Sequence, residues 1–173
     1  MLSPYVREAR AEDVPALLPL MRELARFEDY LEDFAVDEVQ LMARAFAAEP
    51  QCQIFVAEAS DRLLGYAVTQ ELTFTYDLRP TVRLKELYVA PDARCQRLGE
   101  QLLAAVARWA KARGAGRLKW DVLAGNQKAE RFYQRLGGHP DAKWIAYTMD
   151  HSAMTALAEY HCETDCSANA APA

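Results

Sequence analysis

Three groups of residues in this chain have side chains or backbone suited to chemistry. The first is the run Arg94-Cys95-Gln96-Arg97-Leu98-Gly99-Glu100, which opens a helix whose apolar face reads Leu102, Leu103, Val106, Trp109 and Ala110. A helix N-terminus presents unpaired backbone N–H groups and a partial positive charge, so this run is suited to hold a diphosphate without a metal. Taken alone, it reads equally well as an ordinary strand-to-helix connection with Gly99 as a packing glycine. The second group begins at Asn126 and crosses a short helix to Phe132 and Tyr133 before Gly137-Gly138. A phenol with a pKa of about 10 is a suitable general acid towards a thiolate leaving group if it reaches the mouth of a cleft. Turned inward, Tyr133 is half of a core aromatic pair. The third group is carboxylates: Glu86, flanked by Leu84 and Leu87 in a strand, and Glu28 at the end of the first helix. Glu86 is costly to bury without a cationic partner, whereas a solvated charge is the plain alternative for Glu28.

These groups need a scaffold, and the hydrophobic pattern supplies one. Tyr5-Val6-Arg7 is a short strand candidate, and Val14, Leu17, Leu18, Met21, Leu24 and Phe27 recur every three or four residues as one helical face, with Asp13 placed to cap it. A second helix is expected over 37–48. Segments 53–57 and 64–69, split by Ser60-Asp61-Arg62, read as an antiparallel hairpin whose second arm extends towards Phe74 and Tyr76. A strand ending at Val89, the helix from Leu98 to the glycines at 114 and 116, a strand over 118–123, a short helix over 129–136 and a last strand over 144–149 complete the order. The expectation is a mixed α/β domain with a largely antiparallel sheet flanked by helices. Trp120, Trp144 and Tyr147 are assigned to its core.

Composition narrows the function classes. With 173 residues and 51% hydrophobic content the chain can bury one good core, and a single domain over 1–155 is expected, followed by a flexible tail over 156–173. A net charge of −5 argues against a general nucleic-acid binder, which needs Lys and Arg to neutralise phosphates. No apolar run reaches the roughly 18 residues of a membrane span, and no basic stretch followed by an apolar core opens the chain. Cytoplasmic location, with no membrane partner, is the resulting expectation. The scattered Cys52, Cys95, Cys162 and Cys166 fit a reducing compartment. Cys162, Cys166 and His161 supply three ligand types where a structural zinc site needs four, so no metal is expected. Cys95 lacks an evident base partner, which disfavours it as a covalent nucleophile.

In order, the strand, the Arg-x-x-Gly-like loop, the helix and the run from Asn126 through Ala129, Phe132 and Tyr133 to Gly137 resemble the GCN5-related N-acetyltransferases (GNAT). Further matches at Arg7, residues 23–28, Glu49-Pro50, residues 56–58 and Trp144 make the chain similar to the diamine and polyamine branch, which includes thialysine-type enzymes. The resemblance covers roughly 5–150. It implies the GNAT fold, with a V-shaped splay between the strands ending near Val89 and Leu123, and acetyl-CoA as co-substrate.

Roles follow from that resemblance residue by residue. Leu87, Tyr88 and Val89 would pair through their backbone with the pantetheine arm like an added strand. Arg94, Cys95, Gln96, Arg97, Leu98, Gly99 and Glu100 would hold the diphosphate, with Asn126 and Ala129 near the thioester and Tyr133 protonating the departing sulfur. Phe27, Glu28 and Glu86 would bind the amine, Glu86 or a water taking its proton, while a backbone N–H near Val89 would face the developing oxyanion. The chain departs from the family pattern at Cys95 and Arg97, where glycines are expected, and at Lys85, where an acid is usual. A left-handed backbone at either loop site would cost about 1–2 kcal/mol, and Arg97 offers a charge-assisted fork in return. Lys85 would repel a second ammonium, favouring a small monoamine, an aminoalkyl amino acid or a diamine held at one end over a long polyamine. The implied activity is direct acetyl transfer from acetyl-CoA to a small primary amine, with a homodimer by family analogy. The competing readings are a non-catalytic small-amine or protein-binding relative and an enzyme acting on proteins or peptides.

Overall fold

The apolar runs around Phe55 and Tyr66 become the centre of a five-stranded sheet in the computed structural model, which describes residues 3–160. The chain divides into two compact units, Met1–Gly137 and Gly138–Ala173. The first unit holds the sheet in the order β1 (Tyr5–Glu8), β2 (Gln53–Ala59), β3 (Arg62–Leu72), β4 (Thr81–Val89) and β5 (Arg117–Lys119). β1 to β4 pair antiparallel, whereas β5 runs parallel to β4. β2 and β3 carry near-continuous buried runs, and Leu63, Tyr66, Ala67, Val68, Val82 and Leu84 sit in one core cluster with Phe55 and Val56.

The helices cover this sheet with the faces their spacing predicts. α1 (Val14–Phe27) buries Val14, Leu17, Leu18, Leu20, Met21 and Leu24 and packs on β3 and β4. α3 (Leu98–Ala112) buries Leu98, Leu102, Leu103 and Val106 and packs across β1 to β4. α2 (Glu38–Ala45) is shorter than the expected 37–48 and lies against α1; Asp37 accepts a 2.7 Å bond from the Gln40 N–H to start it. α4 (Gln127–Arg135) follows β5 and stays in the first unit. Asp13 stands at the start of α1, but its carboxylate is spent elsewhere: it accepts from Arg10 N at 2.7 Å and from both Arg7 terminal nitrogens at 2.6 and 2.9 Å. Arg7 also reaches Glu58, so one guanidinium ties β1 to β2 and to the entry of α1, and it holds the Asp13 carboxyl below its ordinary range.

Two irregularities shape the middle of the sheet. Val68 pairs with Glu86 and Thr69 with Leu84, which leaves Lys85 as an extra residue bulged out of β4. Bulges of this kind raise the local twist and re-aim neighbouring side chains. Opposite Val89, a Cβ on Gly65 would lie 2.5 Å from the Tyr88 carbonyl oxygen, so only glycine permits this approach of β3 to β4.

Several expectations are corrected. β3 ends at Leu72, and Phe74 and Tyr76 are exposed in the connection to β4. The expected strand over 118–123 is a three-residue piece, Arg117–Lys119. In the second unit, residues 144–149 form no strand, because no described residue supplies the partner ladder that a strand's backbone groups require. Trp144 and Tyr147, placed in the core from their size, are 67% and 92% exposed. An unexpected helix α5 (His151–Ala158) starts at Asp150, whose carboxylate accepts from the Ala153 N–H at 2.8 Å. His161, Cys162, Cys166 and the end of the tail lie outside the described residues.

Candidate functional site

Pairing between β4 and β5 covers only Thr81, Val82 and Arg83 against Arg117, Leu118 and Lys119. Beyond that point the two strands part, and among the described residues 84–89 has no ladder partner on that side. This is the splay that the family resemblance implies, and it leaves a strand edge of the kind an extended ligand can pair with. Leu87 and Val89 are partly buried there, and Tyr88 is buried with its hydroxyl donating to Glu23 Oε2 at 2.8 Å. The carbonyl of Val89 accepts from Arg94 Nε at 3.1 Å, so Arg94 folds back onto the end of β4.

The loop that follows adopts the strained geometry its sequence forewarned of. Cys95 and Arg97 have φ of 66° and 59°, both left-handed, in the two positions where glycine was expected. Each costs about 1–2 kcal/mol for a residue with a side chain. Both side chains are exposed, as are Arg94 and Gln96, so bulk is directed to solvent rather than into the loop. Arg97 is the N-cap of α3 and caps nothing with its side chain, while its carbonyl accepts from Gln101 N at 3.0 Å. The N–H groups of Leu98, Gly99 and Glu100 in the first turn therefore lack intrahelical acceptors, as an anion cradle requires.

α4 is docked against this cradle. A Cβ added to Gly99 would lie 3.4 Å from Phe132 Cζ, and Arg135 Nη2 meets Glu100 Oε1 at 2.6 Å. Gly99 is thus a packing glycine in the first turn of α3. Asn126 caps α4 through Oδ1, which accepts from the Ala129 N–H at 3.1 Å, so both residues hold the helix that carries Tyr133. The Tyr133 ring lies 4.9 Å from that of Trp120 and 5.0 Å from that of Phe132. Burial, then the charge of Glu28, pushes the Tyr133 phenol up to about 12, which keeps it protonated at neutral pH.

The charge of Glu28 reaches Tyr133, so the end of α1 and α4 face a common region. Glu28 ends α1, exposed but desolvated enough that its carboxyl is raised, and its charge also acts on Glu86, Tyr30 and Tyr66. Glu86 is half-buried in β4 and its carboxyl is raised, mainly by burial and then by Glu28; Tyr66 and Lys85 oppose the rise. Among the described residues its hydrogen-bond partner is the Tyr66 hydroxyl, at 2.7 Å to Oε2. Among the described residues no cation forms an ion pair with Glu28 or Glu86. Phe27 is 57% exposed at the same helix end. Tyr30 and Cys52 complete the surroundings, each raised by burial and by the charge of Glu86.

Tyr66, Tyr30 and Cys52 were not singled out in the sequence. Tyr66 carried a usable signal: a phenol inside the buried run Leu64-Gly65-Tyr66-Ala67-Val68 must find a partner for its hydroxyl. The described residues contain no cluster of three or more His, Cys, Asp or Glu side chains placed to hold a metal, and no helix long and apolar enough to cross a membrane.

Comparison with known proteins agrees with this geometry. The model of the acetyltransferase (GNAT) family matches residues 19–138. A thialysine N-epsilon-acetyltransferase of Mus musculus is 30% identical over 169 residues, covering 91% of this chain and 99% of the relative. An uncharacterised N-acetyltransferase of Bacillus subtilis is 26% identical over 145 residues, covering 84% of this chain and 96% of the relative. Among solved structures, a Vibrio cholerae integron cassette protein superposes with a TM-score of 0.76 at 23% identity, covering 92% of this chain and all of that one. An aminoglycoside N-acetyltransferase in complex with CoA gives a TM-score of 0.67 at 22% identity, covering 84% and 94%. The chain belongs to the GNAT acetyltransferase family and is an N-acetyltransferase that takes its acetyl group from acetyl-CoA.

Proposed function

We propose that this enzyme acetylates a primary amine of a small molecule by direct transfer in a ternary complex, the acceptor being a diamine or polyamine held at one end, or an aminoalkyl amino acid. The observation that carries the reading is the pair of carboxylates Glu28 and Glu86, which act on one another and form no ion pair among the described residues, with Glu28 also acting on Tyr133. A half-buried carboxylate that has no cationic partner within the protein is suited to receive one from a ligand. The named thialysine acetyltransferase of mouse supports an aminoalkyl acceptor.

The residues fit acetyl-CoA, which supplies an activated acetyl thioester. The first turn of α3 and the left-handed loop at 95–97 offer N–H groups for the diphosphate, and the free edge of β4 at 87–89 offers backbone pairing for the pantetheine arm. Glu28 and Glu86 attract the ammonium, Phe27 shields one side, and Glu86 accepts the proton as the nitrogen becomes a nucleophile. Tyr133, protonated at neutral pH, gives its proton to the departing sulfur. Lys85 stands beside Glu86 on β4 and weighs against a second ammonium close by, which favours acceptors with one cation at the reacting end.

A panel of small amines and of peptides assayed with acetyl-CoA tests the proposal. Turnover confined to small amines supports it, and turnover confined to peptides overturns it.

A further inference from the structure

The hydroxyl of Tyr66 is the polar atom whose placement the fold alone does not explain. Its ring lies in the middle of β3, with no exposure at all, 6.2 Å from that of its cross-strand neighbour Tyr88. A phenylalanine would fill this space with no polar atom to satisfy. The hydroxyl instead donates to Oε2 of Glu86 at 2.7 Å, and among the described residues no donor reaches Oε1. Tyr88, by contrast, directs its own hydroxyl to Glu23. Two adjacent buried tyrosines thus serve two different carboxylates, and only that of Tyr66 belongs to the acceptor site.

We propose that Tyr66 is the positioning residue of the acceptor site: by donating to Oε2 of Glu86 it fixes the carboxylate and leaves Oε1 for the substrate ammonium. The proposal rests on the reading of Glu86 as the group that accepts the amine proton. A donor to a carboxylate favours its charged form and opposes the burial that disfavours it. The other groups acting on Glu86 are Glu28 at the end of α1, which opposes ionisation, and Lys85 beside it on β4, which favours it; the charge of Glu86 in turn reaches Tyr30 and Cys52. Both of the last two are neutral while protonated, and burial makes each harder to ionise. Tyr66 itself is held protonated far above the physiological range, so it remains a donor throughout.

The test is the pH dependence of kcat/KM for an accepted amine in Tyr66→Phe, which removes one oxygen and keeps the ring. Losing the donor leaves Glu86 easier to protonate, so the acidic limb moves up by about one pH unit. The corresponding loss approaches about tenfold on the acidic limb and shrinks towards the alkaline plateau, with KM for acetyl-CoA within about twofold. An equal loss at every pH, or an unmoved limb, overturns the proposal. Glu86→Gln separates the two readings. If the limb survives in Glu86→Gln, the base reading itself fails; if it vanishes there but stays in place in Tyr66→Phe, only the role of Tyr66 fails. Should Tyr66→Phe not fold, a fluorinated tyrosine at position 66 serves instead. Its stronger donor is expected to move the limb to lower pH, and a limb that does not move overturns the proposal equally.

Discussion

The two walls of the site are built on different principles. The loop proposed to hold the diphosphate relies on backbone: the donors it offers are main-chain N–H groups, its shape comes from left-handed residues 95 and 97, and residues 94–97 are exposed. The acceptor side relies on side chains, with a half-buried carboxylate held by one tyrosine and biased by a second carboxylate. Backbone donors survive most substitutions, whereas a buried carboxylate depends on each neighbour that sets its charge. The family pattern can therefore be broken at Cys95 and Arg97 with the loop's shape retained, while single-atom changes around Glu86 are expected to reach the chemistry.

The sharpest break of this contrast is Glu86→Gln. It keeps the shape and removes the base, so kcat/KM for the amine is expected to fall about a thousandfold. KM for acetyl-CoA should stay within about twofold, and steady-state kinetics with each substrate varied checks both. Tyr133→Phe comes next, with a drop in kcat of about a hundredfold at neutral pH and little change in either KM. Unchanged turnover would remove Tyr133 as the acid. Across the cleft the effects shrink: Arg97→Ala is expected to raise KM for acetyl-CoA about fivefold at low salt, from one lost charge-assisted contact. Because Arg97 is exposed, that difference should fade as ionic strength rises, and a salt-independent effect would mean the side chain acts through loop shape instead.

The same contrast decides what the sequence could tell. Periodicity placed α1, α3 and the β2–β3 hairpin because each buries a face against the sheet, and burial is what periodicity records. The loop was legible because a helix start and a strand end are local features, whereas the splay came only from the resemblance to the acetyltransferase family. Long-range pairing was not legible: 144–149 has strand composition without a ladder, and β5 stops at Lys119 because its partner β4 parts from it there. Tyr66 escaped notice because its bond to Glu86 spans two strands, and a hydroxyl's partner is set by register rather than by spacing along the chain. Arg7 and Asp13 were readable as charged residues near a helix start, yet the pairing of Arg7 with Glu58 depends on β1 meeting β2.

The smallest expected effect bears on the loop alone. If Cys95 and Arg97 are strained only by their left-handed backbone, Cys95→Gly and Arg97→Gly should each stabilise the protein, since glycine adopts these angles without a Cβ clash. Glycine also enlarges the entropy lost on folding, which offsets part of the relief and leaves a net gain of about 0.5–1 kcal/mol per site. For a chain of this size that corresponds to a rise in Tm of about 1–3 °C. The two sites should part company in the enzyme assay. Cys95→Gly is expected to leave KM for acetyl-CoA within about twofold, because the side chain it removes is exposed and lacks the guanidinium's donors, whereas Arg97→Gly gains the same stability and loses the charged fork. A melting-temperature drop in either variant would show that the side chain makes a contact worth more than the strain it imposes. A rise in both, with weaker acetyl-CoA binding in the second only, would establish that this loop trades folding stability for a cation beside the diphosphate.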